Sequence, residues 1–148
     1  MIYIVSDHGG FDAKGHLTRW LLSHKVPVID LGPEKPDPKD DYPVWAARLA
    51  KQVQKKKKSM GIALCRSGVG MAIVANKFDG IRAAQAHTPA MAAKSRQDED
   101  TNVLSLAADY LSQREMRSII RSWLTTKYKA KSRYQRRLRE IQKIEHGR

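Results

Sequence analysis

The sequence predicts an α/β fold: a three-layer sandwich in which helices cover a five-stranded parallel sheet, followed by a C-terminal amphipathic helix. Three observations carry that prediction. Short β-branched or apolar runs recur at 2–5, 28–30, 60–64, 81–84 and 103–106, each of a length suited to a buried strand. Segments with apolar residues at helical spacing lie between them. The first and third runs end in glycine-bearing turns, Ser6-Asp7-His8-Gly9-Gly10 and Cys65-Arg66-Ser67-Gly68-Val69-Gly70, which lead a strand into a helix. Such alternation implies βαβ units, right-handed crossovers and a parallel sheet covered on both faces. Ligands of these sheets bind beyond the carboxyl ends of the strands.

Each element has its own signal. After the first strand, Phe11, Leu17, Trp20 and Leu21 mark a helix that Pro27 stops before the second strand. A loop rich in Pro, Asp and Lys follows at 32–41. Val44, Ala47, Leu49, Ala50 and Val53 then mark a helix running into the lysines at 55–58, where positive charge suits a helix C-terminus and is read as solvated. The third strand leads through the Cys65 turn into a helix at 71–77. Helices at 89–96 and 116–124 flank the fifth strand. From 133 onward the composition is heavily charged, with Leu138, Ile141 and Ile144 at helical spacing. An apolar stripe of that kind needs a partner, and the helix at 133–146 is expected to find it on a second subunit.

At 148 residues and 41% hydrophobic, the chain has the material for one folded domain spanning 1–148, which excludes a disordered basic tail. No apolar stretch reaches the roughly 18 residues a membrane span needs, and the opening residues lack a signal-peptide pattern. A cytoplasmic location is therefore expected. The charge balance, 28 Lys and Arg against 15 Asp and Glu for a net +13, admits nucleic acid, an anionic substrate or a charged surface. His8, His16, His24, His87 and His146 are scattered and Cys65 stands alone, so a zinc site is not expected.

Three polar clusters are candidates for chemistry, and a parallel sheet could bring them to one edge: Asp7 to Gly10, Cys65 to Gly70, and Asp98-Glu99-Asp100. A thiol at a strand end just before a helix is favoured as the thiolate by the helix dipole, and a thiolate can act as a base. Free cysteine is also among the most buried residue types. The neighbouring Arg66, Ser67, Gly68 and Gly70 weigh toward chemistry, because successive N–H groups in such a turn form an anion-binding concavity. Asp7 and His8 either polarise a substrate group or, for Asp7, cap the following helix. Arg133, Arg136, Arg137 and Arg139 suit phosphate contacts or a solvated helix face. Only Tyr128 and Tyr134 interleave with these basic residues, which gives poor support to a base-stacking platform.

These motifs resemble the ribose-5-phosphate isomerase B family, which includes galactose-6-phosphate isomerase subunits. The likeness runs through Asp7-His8-Gly9-Gly10-Phe11, Asp41-Tyr42-Pro43, the Cys65 to Gly70 turn, Asn76-Lys77-Phe78-Asp79-Gly80-Ile81-Arg82, Thr101-Asn102-Val103-Leu104, and Arg133 with Arg137. It implies a Rossmann-like fold, an aldose–ketose isomerisation through a cis-enediolate, no metal or cofactor, and a dimer or tetramer with active sites shared between subunits. It assigns Cys65 as the base. The backbone of Arg66, Gly68, Val69 and Gly70 would hold the enediolate oxygens, and Ser67 would relay protons. Asp7 and His8 would contact the sugar or its phosphate, and Arg133 and Arg137 the phosphate from the partner subunit.

The chain departs from the family pattern at three places. Asp98-Glu99 stands where ribose-phosphate isomerases often carry His-Asn, so Asp98 becomes the candidate for ring opening, with Glu99 beside the substrate. The flanking acids are expected to supply like charge that favours its protonated form. Asp109 stands where many members have a phosphate-facing Arg, a charge that Arg66 can restore. Tyr134 replaces a common His. The reading is a ribose 5-phosphate/ribulose 5-phosphate isomerase; the alternatives are an isomerase of allose or galactose 6-phosphate, and a non-catalytic module binding sugar phosphate or RNA.

Overall fold

Residues 1–147 are described by the computed structural model, in the order β1 (Ile2–Ser6), α1 (Phe11–Ser23), β2 (Val28–Asp30), α2 (Tyr42–Lys55), β3 (Met60–Cys65), α3 (Val69–Ala75), β4 (Ala83–Gln85), α4 (Pro89–Glu99), β5 (Val103–Ala107), α5 (Gln113–Thr125) and α6 (Ser132–His146). A 3-10 turn, His8–Gly10, joins β1 to α1. The strands form one parallel sheet in the order β2-β1-β3-β5-β4. This is the five-stranded α/β arrangement expected from the alternation of patterns.

Two element boundaries shift for local reasons. The fourth strand begins at Ala83 rather than Ile81, because the Ile81 N–H donates to the Phe78 carbonyl and the Arg82 N–H to the Asn102 side chain. Those two residues are spent on a turn. The helix expected from Met116 starts at Gln113, since Ser112 and Glu115 form a reciprocal capping box.

Alternation along the three central strands sends side chains to opposite faces. Ile2, Ile4, Ile62, Leu64, Leu104 and Leu106 form a core with α1, α4 and α5, where Trp123 is fully buried. On the other face Tyr3, Val5, Ala63, Cys65 and Val103 meet α2 and α3. Each fully buried Ile or Leu contributes roughly 1.5–3 kcal/mol, so the strand ends are held rigidly. That rigidity matters at one place above all. β1 connects to β2 on one side and β3 to β4 on the other, so the connections leaving these two neighbours diverge and leave a crevice at the carboxyl edge.

α6 lies against α4 and buries Tyr134, while Ile141 is 37% and Ile144 67% exposed. Its apolar stripe is therefore only partly covered by its own chain. The lysines at 55–58 are exposed at the end of α2 and beyond it. Among the described residues no helix is long and apolar enough to cross a membrane.

Candidate active site

The crevice is built by the first residues beyond β1 and β3. Asp7 is buried; its N–H donates to the Leu64 carbonyl at 3.2 Å, and its carboxylate accepts from the Gly10 N–H at 3.2 Å. It thus caps the 3-10 turn, and burial raises its pKa above the usual aspartate value. Gly10 has to be glycine, because a Cβ there would stand 2.7 Å from the Leu64 Cβ.

Cys65 ends β3 with its thiol facing the α2/α3 core, 5% exposed, and accepts a hydrogen bond at Sγ from the Gly68 N–H at 3.1 Å. Gly68 takes a φ of 76°, and a Cβ on it would meet the Leu106 carbonyl carbon at 3.0 Å. The turn is braced from neighbouring strands. Ser105 donates its hydroxyl to the Gly68 carbonyl at 2.6 Å, and the Gln85 amide donates to the Ser67 carbonyl. The Ser67 hydroxyl accepts from the Val69 N–H at 3.3 Å, and Gly70 follows in the first turn of α3. Arg66 leans across Gly9 toward the β1 turn, since a Cβ on Gly9 would stand 2.5 Å from the Arg66 Cγ. The turn after β1 and the Cys65 turn therefore meet at the carboxyl edge of the sheet.

His8 is half-buried beside Asp40, a residue of the loop before α2. The His8 Nδ1 lies 2.7 Å from Asp40 Oδ1, which also accepts from the His8 N–H at 3.0 Å, while Trp45 Nε1 donates to Asp40 Oδ2 at 2.8 Å. The hydrogen bond to Asp40 raises the His8 pKa above its ordinary value.

Asp98 is elsewhere. Helix α4 runs against the strands, so its last turn comes to the amino edge of the sheet, where Asp100 pairs with Arg82 and the Asn102 carbonyl accepts from the Gly61 N–H. The acidic cluster therefore does not share the carboxyl edge with Cys65 in one chain, contrary to the expectation from strand alternation. Nor does like charge favour its protonated form. Asp98 pairs with Lys94 Nζ at 2.9 Å and accepts from Gln97 and the Tyr134 hydroxyl, which together hold its pKa below the usual carboxylate value, Lys94 contributing most. Arg133 donates to the same Tyr134 hydroxyl at 2.8 Å. Arg137 follows one turn later on α6, and both arginines are exposed. Asp98 and Glu99 face a cavity of about 600 Å³ that Gln85, Met91 and Lys94 also line. Among the described residues no three His, Cys, Asp or Glu side chains gather as a metal site requires.

The sequence model of the Ribose/Galactose Isomerase family matches residues 2–141. The chain belongs to that family. It is 39% identical over 140 residues to a probable ribose-5-phosphate isomerase B of Mycoplasma pneumoniae, covering 95% of this chain and 91% of the relative. A D-erythrulose-4-phosphate isomerase of Pectobacterium atrosepticum is 34% identical over 86% of this chain and 84% of its own. The crystal structure of ribose-5-phosphate isomerase B from Mycoplasma genitalium with bound ribulose-5-phosphate superposes with a TM-score of 0.94 at 34% identity, covering 99% and 97% of the two chains. This member of the family is an aldose–ketose isomerase of sugar phosphates, which removes the non-catalytic binding module as a reading.

Within this isomerase the departures from the family pattern acquire partners. Arg66 Nη1 meets Asp109 Oδ2 at 3.4 Å in an exposed pair, so Arg66 is shared with Asp109 rather than standing free as a replacement charge. Tyr134 is the link between Arg133 and Asp98. Sequence reasoning missed Asp40, Gln85 and Ser105. No periodicity or motif marks them, because each acts through a side chain that only folding brings to the turn.

Proposed function

We propose that this isomerase interconverts ribose 5-phosphate and ribulose 5-phosphate, with Cys65 as the base and with each active site completed by a second subunit. The observation that carries the reading is Cys65 at the crevice, its Sγ bonded to the Gly68 N–H beside Asp7 and His8. A Cys65 thiolate takes the C2 proton of the open-chain aldose, leaving a cis-enediolate. The thiol returns that proton to C1 while the hydroxyl proton passes from O2 to O1 through Ser67, so the enzyme ends as it began. Backbone N–H groups of the turn are suited to hold charge on O1 and O2, because such donors act most strongly where charge develops in the transition state.

Asp98 serves ring opening in the partner's site, as a proton acceptor held ionised by Lys94. Arg133 and Arg137, exposed on a helix whose apolar stripe is open, reach the substrate phosphate across the same interface. A dimer covers that stripe, and the substrate is met in the cytoplasm. The positive charge is spread over solvated helix ends, so nucleic acid is not a partner.

A coupled assay tests this directly. Ribose 5-phosphate turnover that survives Cys65→Ala would overturn the mechanism, and its absence in the wild type would overturn the substrate. A second reading, another aldose phosphate such as allose or galactose 6-phosphate, draws on the Arg66–Asp109 pair at the crevice rim and on the relative that acts on a tetrose phosphate. A panel of tetrose, pentose and hexose phosphates decides between them by kcat/KM.

A further inference from the structure

His8 reaches the crevice from a position fixed at both ends of one carboxylate. Asp40 uses Oδ1 twice, for the His8 N–H and for the His8 ring, and Oδ2 for the Trp45 indole. Its side chain is only 9% exposed and that of His8 28%. A carboxylate so enclosed cannot turn away from the ring without breaking three hydrogen bonds, and a ring bonded through Nδ1 presents Nε2 to its other side. The second shell of a histidine sets which nitrogen carries the proton and how strongly the ring holds a second one.

We infer that Asp40 is a positioning residue of the active site, which fixes the His8 ring through Nδ1 so that Nε2–H of the protonated ring can donate to an anionic oxygen of the sugar phosphate. This rests on the reading of the crevice as the substrate site. Charged groups face His8 from three elements: Asp7 from its own turn, Asp40 from the loop before α2, and Arg66 from the turn after β3. The Asp40 hydrogen bond is the largest contribution to the imidazolium and Asp7 adds to it, while desolvation and, more weakly, Arg66 oppose it. The net direction is upward from the ordinary value of 6.5, so His8 holds its proton to higher pH than a free histidine.

Asp40→Asn removes the charge while its amide oxygen still accepts from the His8 N–H and ring; its amide nitrogen cannot accept from the Trp45 indole, so Trp45→Phe is the control for the loss of that bond. In the wild type, ring ¹⁵N shifts should report His8 titrating above 6.5, with Nδ1 as the protonated nitrogen of the neutral form. In Asp40→Asn the titration midpoint should fall. At a pH between the two measured midpoints KM for ribose 5-phosphate should then rise several-fold with kcat nearly unchanged, while at a pH below the lower midpoint the two proteins should converge. A purely structural role for Asp40 would raise KM equally at both pH values, and that result overturns the inference. So does an unshifted midpoint in the variant, or a wild-type His8 with its neutral proton on Nε2. The ring measurement on the wild type needs no variant to fold and no turnover. A wild type that does not turn over any sugar phosphate therefore counts against the isomerase reading alone, and the titration still decides the role of Asp40.

Discussion

The carboxyl-edge crevice and the α4/α6 face hold their candidate groups by opposite means. In the crevice, backbone geometry does the work. Asp7, Cys65 and Gly68 are buried: the Asp7 N–H donates to the Leu64 carbonyl of β3, the Asp7 carboxylate and the Cys65 thiol accept from the Gly10 and Gly68 N–H groups, and the Gly68 carbonyl accepts from the Ser105 hydroxyl. On the α4/α6 face, side chains hold side chains: Lys94 to Asp98, Tyr134 to Asp98, and Arg133 to Tyr134. Gln85 touches both, donating to the Ser67 carbonyl while lining the cavity before Asp98. The thiol turn is set by its own chain, whereas groups held by surface side chains can be lent to a neighbour.

The largest effects should separate the two regions cleanly. Cys65→Ala is expected to lower kcat by about 10²–10⁴-fold or more in the coupled assay, with the far-UV spectrum and melting temperature retained. Arg133→Ala combined with Arg137→Ala should instead act mainly on KM. Co-expressing that double variant with Cys65→Ala should restore roughly a quarter of wild-type activity if half the dimers are mixed and each carries one intact site. No restoration would show that each site belongs to a single chain.

Next in size is the backbone of the crevice. Gly68→Ala forces a side chain into a left-handed conformation against the Leu106 carbonyl, and should cost about 1–2 kcal/mol in urea unfolding as well as activity. No comparable loss is expected from Lys94→Ala. Removing Lys94 releases the Asp98 carboxyl upward, so an acidic limb of the pH–rate profile that belongs to Asp98 should move to higher pH. The sign for stability is the same: a depressed carboxylate contributes above its unfolded value of 3.8, and that contribution is lost as pH falls through the lower folded value. The smallest effect should come from Asp109→Ala. The Arg66–Asp109 pair is exposed, with side-chain accessibilities of 66% and 44%, so stability should change by less than about 0.5 kcal/mol. Freed of its partner, Arg66 should lower KM slightly at low salt.

The legibility of the sequence follows the same divide. Strands, helices and the two glycine turns were readable because hydrophobic period and turn chemistry are local, and the crevice residues lie within five positions of a strand end. Asp98 was legible as a residue type but not as a place. Its edge depends on the direction in which α4 crosses the sheet, and its protonation on Lys94 and Tyr134, the latter 36 residues away. Asp40 was not legible at all, sitting 32 residues from His8 in a loop without periodicity.

By itself, then, the sequence determined the α/β layers, the strand ends that carry Asp7 and Cys65, and the glycine turn around the thiol, since these follow from local pattern and backbone sterics. Only the tertiary structure decided that the connections leaving β1 and β3 diverge and leave the crevice, that Asp40 grips His8, and that Asp98 lies at the far edge with Arg133. Those are contacts between segments distant in the chain, and their partners are chosen by how the sheet and helices pack rather than by any residue's neighbours in sequence.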